Sequence, residues 1–373
     1  MHTLPACPAT LEAAMGYQNI LLYCRPGFEN ECGREFADRS KSFGNGMVVS
    51  SNQNSGHVLF SFSDDPSAQE CVRRLRLSSL VFSRQMVLTS DCIGPLAPGD
   101  RVAPLVSEIQ KAGSTFVDLF IETADTNEAK QLSGLCTKLL PPLSGALEKE
   151  GLLDRPAKEG AADGKLLHVF FIATDRAYAG YSFVNNSSPW RMGIPRLRFP
   201  AGAPSRSALK LEEAFCVFLP AEDRARLLKP GMSAIDLGAS PGGWTWLLAS
   251  RGIHVTAVDN GRLDRRLLQN GLVRHVRQDG FSFSPSRPAD WMVCDIVEQP
   301  SRIARLAAQW IARQWCRRTV FTLKLPMKKR YEEILRCKDS ITAEMEGLGQ
   351  RYELCIKQLY HDREEVTAYM RVL

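Results

Sequence analysis

Along the first 190 positions, apolar residues come in short runs cut off by proline, glycine and polar clusters. Asn19 to Cys24 is a strand-type run that stops at Arg25-Pro26-Gly27, and Glu29 to Arg39 follows with helical character. Met47 to Val49 and His57 to Phe62 read as strands across a Ser/Asn/Gln turn, and Pro66 to Leu75 reads as a helix. This strand–helix–strand–strand–helix order predicts a small α+β domain. A glycine- and proline-rich break at 94–99 opens a second unit, in which Phe116 to Glu122 reads as a strand. Asp125 and Glu128 have the spacing of a capping box, so a helix is expected from there towards Leu140, ending ahead of Pro141-Pro142. Leu167 to Ala173 and Ala177 to Phe183 read as adjacent strands joined by Thr174-Asp175-Arg176. The residues before about position 18 read as a poorly ordered tail.

From Lys210 the pattern changes to alternating strands and helices. A helix over Leu211 to Phe218 precedes strands at Ala234 to Leu237, Val255 to Val258, His275 to Arg277, Trp291 to Cys294 and Thr319 to Leu323. That alternation predicts a doubly wound α/β domain with a mostly parallel sheet.

Composition narrows the class without naming it. With 373 residues, 44% hydrophobic and 24% charged, the chain excludes wholesale disorder, collagen-like repeats and a coiled-coil rod. The longest apolar run, Leu166 to Ala173, is far short of a membrane span and already contains His168. The start of the chain does not read as a signal peptide. The eleven cysteines are scattered and form no C-x-x-C pair, which predicts reduced thiols in a cytoplasmic protein and argues against a metal site. The net charge of +6 matters less than its distribution. Residues 301 to 330 hold nine basic side chains and no acid, and Arg191 to Lys210 repeats the pattern with Arg191, Arg196, Arg198, Arg206 and Lys210. Such segments point to a polyanionic partner.

The sharpest local motif is Asp236-Leu237-Gly238-Ala239-Ser240-Pro241-Gly242-Gly243-Trp244-Thr245, which follows a strand and opens a helix. Its glycines allow a tight turn and close approach of a ligand to the backbone. The next strand ends in Asp259 and the third is followed by Asp279, so acids gather at the ligand crevice of such a sheet. A dinucleotide would want a pyrophosphate seat, and Pro241 lacks a donor there. The set suits S-adenosylmethionine better.

A second constellation is made of lysines and acids. Lys210 starts a helix, Asp295 ends the strand from Trp291, and Lys324 sits in the apolar run Phe321-Thr322-Leu323-Lys324-Leu325. A lysine in such a strand is costly to bury unless it is paired or neutralised. Ribose methylation needs a base for a hydroxyl that is otherwise a poor nucleophile. A lysine beside another cation and away from water would have a lowered pKa and could serve. Amino-group methylation of adenine would show Asn/Asp-Pro-Pro-aromatic where this chain has Asp295-Ile296-Val297-Glu298, and Cys294 reads as core rather than as the thiolate that carbon-5 methylation needs.

Asp236 to Thr245, with Lys210, Asp295, Lys324 and a C-terminal glutamate, resembles the FtsJ-type ribose methyltransferases and their K-D-K-E tetrad. Cys24 to Glu29, Ala124 to Glu128, Met192 to Leu197, Pro204 to Phe215 and Leu323 to Tyr331 resemble one THUMP-containing bacterial branch, which 2′-O-methylates a cytidine of 23S rRNA. The resemblance implies a tail at 1–17, a ferredoxin-like α+β domain at 18–95, a THUMP RNA-binding domain at 100–190, a basic linker at 191–209 and a Rossmann-like methyltransferase domain at 210–373. It implies that Ser207, Ser240, Pro241, Gly242, Gly243, Asp259, Asp279 and Asp295 bind S-adenosylmethionine. It also implies that Lys324 accepts the proton, with Lys210, Asp295 and Glu365 completing the tetrad. Glu365 fits best by the valine after it, with Glu364 as the alternative, because His361-Asp362-Arg363 replaces the family's Ser-Arg motif. The expected protein is a cytoplasmic monomer acting on 23S rRNA with no metal and no membrane. The alternatives are a ribose methyltransferase of another RNA and a non-catalytic RNA-binding assembly factor, and the intact lysine–acid set argues against the latter.

Overall fold

The structure, a computed structural model, describes residues 16–155, 164–346 and 351–373. All but the last two residues of the expected tail lie outside these. Tyr17 is not tail-like, since it is buried with its ring 5.9 Å from that of Tyr181.

The first half is built from β1 (Asn19–Tyr23), α1 (Glu29–Ser40), β2 (Gly46–Ser50), β3 (His57–Phe62), α2 (Asp65–Arg74), β4 (Gln85–Thr89), α3 (Val102–Gln110), β5 (Asp118–Thr123), α4 (Ser133–Lys149), β6 (Lys165–Ala173) and β7 (Arg176–Phe183). Its strands form one seven-stranded sheet in the order β2-β3-β1-β4-β7-β6-β5. The break at 94–99 therefore does not divide the sheet, because β4 pairs antiparallel with β7 across it. That crossing requires Gly180, where a Cβ would lie 2.1 Å from the Leu88 carbonyl oxygen. β1 is buried at every position, which explains its unbroken apolar run. Asp64 caps α2 by accepting from the Ser67 N–H at 2.8 Å.

The helix expected after Asp125 differs. Thr126, not Asp125, accepts from the Ala129 N–H, and Asp125 instead pairs with Arg196 at 2.8 Å. α4 begins at Ser133 and runs through Pro141-Pro142 to Lys149. Both prolines are exposed, so the carbonyls they leave without an amide partner face water, while Leu139, Leu143 and Leu147 hold the opposite face in the core. His168 sits in a buried polar network. Its Nδ1 lies 3.1 Å from Glu122, its Nε2 lies 2.8 Å from Ser182, and Tyr23 donates to the same carboxylate at 2.9 Å.

The second half comprises α5 (Ser207–Phe218), α6 (Ala221–Leu227), β8 (Ser233–Leu237), α7 (Gly243–Ala249), β9 (His254–Val258), α8 (Arg265–Leu268), β10 (Val273–Val276), β11 (Ala289–Cys294), α9 (Pro300–Ala312), β12 (Cys316–Lys324), α10 (Arg330–Glu346), β13 (Tyr352–Lys357) and β14 (Glu365–Val372). The sheet order is β10-β9-β8-β11-β12-β14-β13. The first five strands are parallel, as the alternation predicts, and β14 inserts antiparallel between β12 and β13. Strand order reverses between β8 and β11, which opens a crevice at their carboxyl ends.

The halves are joined by polar contacts to the β13–β14 connection. Arg84 donates to the Leu359 carbonyl at 3.3 Å, Arg25 to the Tyr360 carbonyl at 3.1 Å, and Lys357 to the carbonyls of Leu77 and Ser83 at 2.6 and 2.9 Å. The ten cysteines among the described residues are free thiols. No helix among them is long and apolar enough to cross a membrane.

Candidate active site

Four chain segments bring Lys210, Asp295, Lys324 and Glu365 together. The antiparallel register of β12 and β14 pairs Lys324 directly with Glu365. The parallel register of β11 and β12 sets Cys294 beside Phe321, so the next residue, Asp295, reaches Thr322 and Lys324. α5 brings Lys210 in from the side. Asp295 accepts from Lys324 Nζ at 2.8 Å and from Thr322 Oγ1 at 2.7 Å, with Lys210 Nζ 3.5 Å away. Glu365 Oε1 lies 2.5 Å from Lys210 Nζ, and its Oε2 bonds Lys324 Nζ. Glu364 points elsewhere: it is exposed and bonds Arg330 at 2.5 Å.

Two ammonium groups and two carboxylates thus alternate in a partly buried, neutral cluster. Burial raises the Asp295 carboxyl, but Lys210 and Lys324 outweigh it and hold the group below its ordinary range. Burial lowers Lys324, but Asp295 and Glu365 outweigh it and hold the ammonium above its ordinary range. The expectation of a lowered Lys324 pKa is therefore reversed in the protein alone. Two anions touch Lys324, and their attraction exceeds the effect of the neighbouring cation and of lost water.

The glycine-rich loop after β8 forms a cavity of about 280 Å³ beside this cluster. Ser207, Ser240, Pro241, Gly243 and Asp295 line it, as do Ser205, Asp236, Gly238, Ala239 and Trp244. A Cβ on Gly243 would lie 2.2 Å from Ser207 Oγ and 2.3 Å from Ser205 Oγ, so any larger residue would have to displace both hydroxyls. The other expected residues lie around the cavity rather than in its wall. A Cβ on Gly242 would point at Leu267 instead, and its φ of +116° gives it a turn-forming role. Asp259 accepts from the backbone N–H groups of Ser240 (2.9 Å) and Gly261 (2.6 Å), and Asp279 caps its own turn through the Phe281 N–H at 2.9 Å.

Asp236, at the head of the glycine motif, also lines the cavity, a role its sequence position alone does not give it. It is 1% exposed, its Oδ2 accepts from Thr245 at 2.6 Å, and its Oδ1 has no partner among the described residues. Burial pushes its carboxyl up to about 7. The signal was its place at the head of the glycine motif. An orphaned acceptor and a backbone cradle that a Cβ would fill fit a cofactor with hydrogen-bond donors. The folded pKa lies above the unfolded one, so the stability of neutral Asp236 is present below about pH 4 and is lost as pH rises through about 7. Asp236→Asn keeps the shape without the charge. Its urea midpoint should fall less between pH 5 and pH 8 than that of the unchanged protein, and parallel falls would refute the assignment.

Glu213 is a second unassigned residue. Its buried carboxylate accepts from the N–H groups of Tyr360 (2.7 Å) and His361 (2.9 Å), and His361 Nδ1 lies 2.6 Å away. It thereby anchors the loop that leads into Glu365. A larger cavity, about 550 Å³, opens on the other side of Lys210 and Glu365 and is walled by both halves of the chain. Among the described residues, no group of three or more His, Cys, Asp or Glu side chains could hold a metal ion.

A crevice at the strand-order reversal, with a glycine loop on one side and a lysine–acid cluster on the other, defines a methyltransferase of the FtsJ type. The family described as FtsJ-like methyltransferase matches residues 203–365. Residues 17–87 match the RlmM ferredoxin-like domain, and residues 100–183 match the family described as ribosomal RNA large subunit methyltransferase M, N-terminal. Proteins named ribosomal RNA large subunit methyltransferase M are similar throughout. Those of Cellvibrio japonicus and Methylococcus capsulatus are both 47% identical, covering 95% of this chain and 99% and 98% of their own lengths. That of Klebsiella pneumoniae is 46% identical over 95% of this chain and 96% of its own. The chain belongs to the ribosomal RNA large subunit methyltransferase M family.

Proposed function

We propose that this protein transfers the methyl group of S-adenosylmethionine to the ribose 2′-hydroxyl of a cytidine in 23S rRNA, with Lys324 as the general base. The observation that carries the reading is the placement of the two lysines, bridged by Asp295 and Glu365, between the glycine-loop cavity and the wider cleft. The name of the relatives supports a ribosomal RNA substrate, and the family resemblance supports the cytidine and the 2′-oxygen. The protein is proposed to work in the cytoplasm as a monomer, with the 100–190 segment as a THUMP-type RNA-binding module.

Ser207, Ser240, Gly243 and Asp236 would hold the cofactor, with Asp259 at its ribose and Asp279 beyond. When bound, S-adenosylmethionine would supply an electrophilic methyl group and a sulfur leaving group, and its positive charge would favour loss of the lysine proton. Lys324, once neutral, takes the proton of the acceptor hydroxyl. Lys210 and Glu365 hold Lys324 in place, and Asp295 and Thr322 fix its direction. Mass-spectrometric mapping of ribose methylation in 23S rRNA, from a deletion strain with and without this protein, tests the reading. A site that stays methylated in the deletion strain refutes it.

The Asp259 carboxylate is already oriented by two backbone N–H groups and keeps lone pairs for two ribose hydroxyls. Asp259→Ala should weaken cofactor binding by about tenfold or more, the effect of losing a hydrogen bond to a charged group. The single-turnover rate at saturating cofactor should change little. Calorimetry that shows unchanged affinity would remove Asp259 from the cofactor site.

A further inference from the structure

The larger cleft carries an excess of positive charge. Arg25 and Arg84 reach it from the first half, Arg206 from just before α5, and Arg363 from the β13–β14 connection. The carboxylates in the same wall are all engaged. Asp125 pairs with Arg196, and Glu365 belongs to the lysine cluster. Asp362 is fully buried, accepts from the Leu359 N–H and Thr367 Oγ1, and is raised well above its ordinary range by that burial. Arg84 lies near the Glu213 and Asp125 carboxylates, but the other three arginines find no such compensation. Among the described residues Arg25 bonds only the neutral Tyr360 carbonyl, at 3.1 Å. Arg206 and Arg363 are exposed, and their side chains make no hydrogen bond or ion pair with any described residue. Three uncompensated guanidinium groups on two sides of one cavity, at the foot of which stand Lys210 and Glu365, form an anion site of mixed parentage.

We propose that Arg25, Arg206 and Arg363 bind backbone phosphates of the acceptor RNA strand beside the ribose presented to Lys324, so that the ferredoxin-like segment is part of the acceptor site. This rests on the reading of an RNA acceptor given above. The arginine fork suits phosphate oxygens, and backbone contacts fix the register of a strand without reading its sequence. Of the two basic segments seen in the sequence, the first thus sends Arg206 to the acceptor, while the second sends Lys324 to the reactive cluster and spends Arg330 on Glu31 and Glu364.

The test is fluorescence anisotropy of the full chain with a labelled single-stranded oligoribonucleotide at several KCl concentrations. A parallel series uses the same oligonucleotide with uncharged methylphosphonate linkages. Arg206→Gln and Arg363→Gln should each weaken binding of the charged strand by about tenfold. Each should also lower the slope of log affinity against log salt by roughly 0.7, and the double variant by roughly twice that. Both penalties should vanish on the uncharged strand. Arg25→Gln is scored by the same cycle, since any loss through the loop it also supports would persist on the uncharged strand. Unchanged affinity and salt slope in the double variant would overturn the proposal, as would equal penalties on both strands. Binding needs no methyl transfer. The expected affinities without ribose methylation in the 23S mapping would therefore refute the reaction and keep the phosphate site, and the converse would refute the site alone.

Discussion

Lys324→Ala is expected to lower methyl transfer by about a thousandfold or more, while S-adenosylmethionine still binds. General bases contribute roughly 10²–10⁴ in rate, and Lys324 is the proposed base. Its ammonium bridges Asp295 and Glu365, and among the described residues it makes no hydrogen bond or ion pair with the glycine loop. Removing one member of a partly buried ion cluster leaves its partners uncompensated, at a cost of order 3–5 kcal/mol that 25% exposure of the side chain reduces. Stability therefore has to be checked by urea unfolding. Lys324→Arg separates the two roles. It keeps the charge and both carboxylate partners, but a guanidinium does not give up its proton in a protein. It should fold normally and be nearly as inactive as the alanine variant. Near-normal single-turnover rates with arginine would show that position 324 supplies charge and not a base.

The second large effect is on pH. Asp295 and Glu365 hold the Lys324 ammonium above its ordinary range near 10.5, so only a small fraction is neutral at physiological pH. If the neutral amine takes the proton, the single-turnover rate should rise with pH from about pH 6, by about tenfold per unit until the lysine of the cofactor-loaded enzyme is neutral. Stability does not counterfeit this. A lysine raised by its partners stabilises the fold below its ordinary range, and that contribution is lost only as pH climbs through the raised value. Asp295, held low, contributes above its ordinary range and loses that contribution only in acid. A flat profile from pH 6 to pH 9 would exclude Lys324 as the base. The residual rate of Lys324→Arg should not share the slope.

Both expectations depend on a cluster whose members could be nominated from the chain but not assembled from it. The glycine motif announced itself because tight turns and close ligand approach demand glycine locally, and Gly243 meets that demand against Ser205 and Ser207. Lys324 stood out because a lysine in an apolar strand needs a local explanation. The sequence does not single out Asp236 because a buried acid at a strand end looks like any other; the structure places the residue at the cavity and leaves one of its oxygens without a partner among the described residues. Glu213 was hidden for a similar reason: its partners are backbone N–H groups 147 and 148 residues away.

Local pattern by itself determined the alternation of the second half, most strands of both sheets, the glycine loop and three members of the tetrad. These follow from periodicity, turn chemistry and the cost of burying charge, all of which act within a few residues. Tertiary structure alone decided the rest. β4 and α3 lacked a readable pattern and are held by packing, and β4 joins two segments into one sheet. Pro141 and Pro142 are tolerated inside α4 because that face meets solvent. Glu365, rather than Glu364, enters the cluster because strand register fixes which side of the sheet each faces, and a shift of one residue exchanges them. The protonation of Lys324 is set by carboxylates 29 and 41 residues away, whose ångström-scale distances reverse what its neighbours in the chain imply.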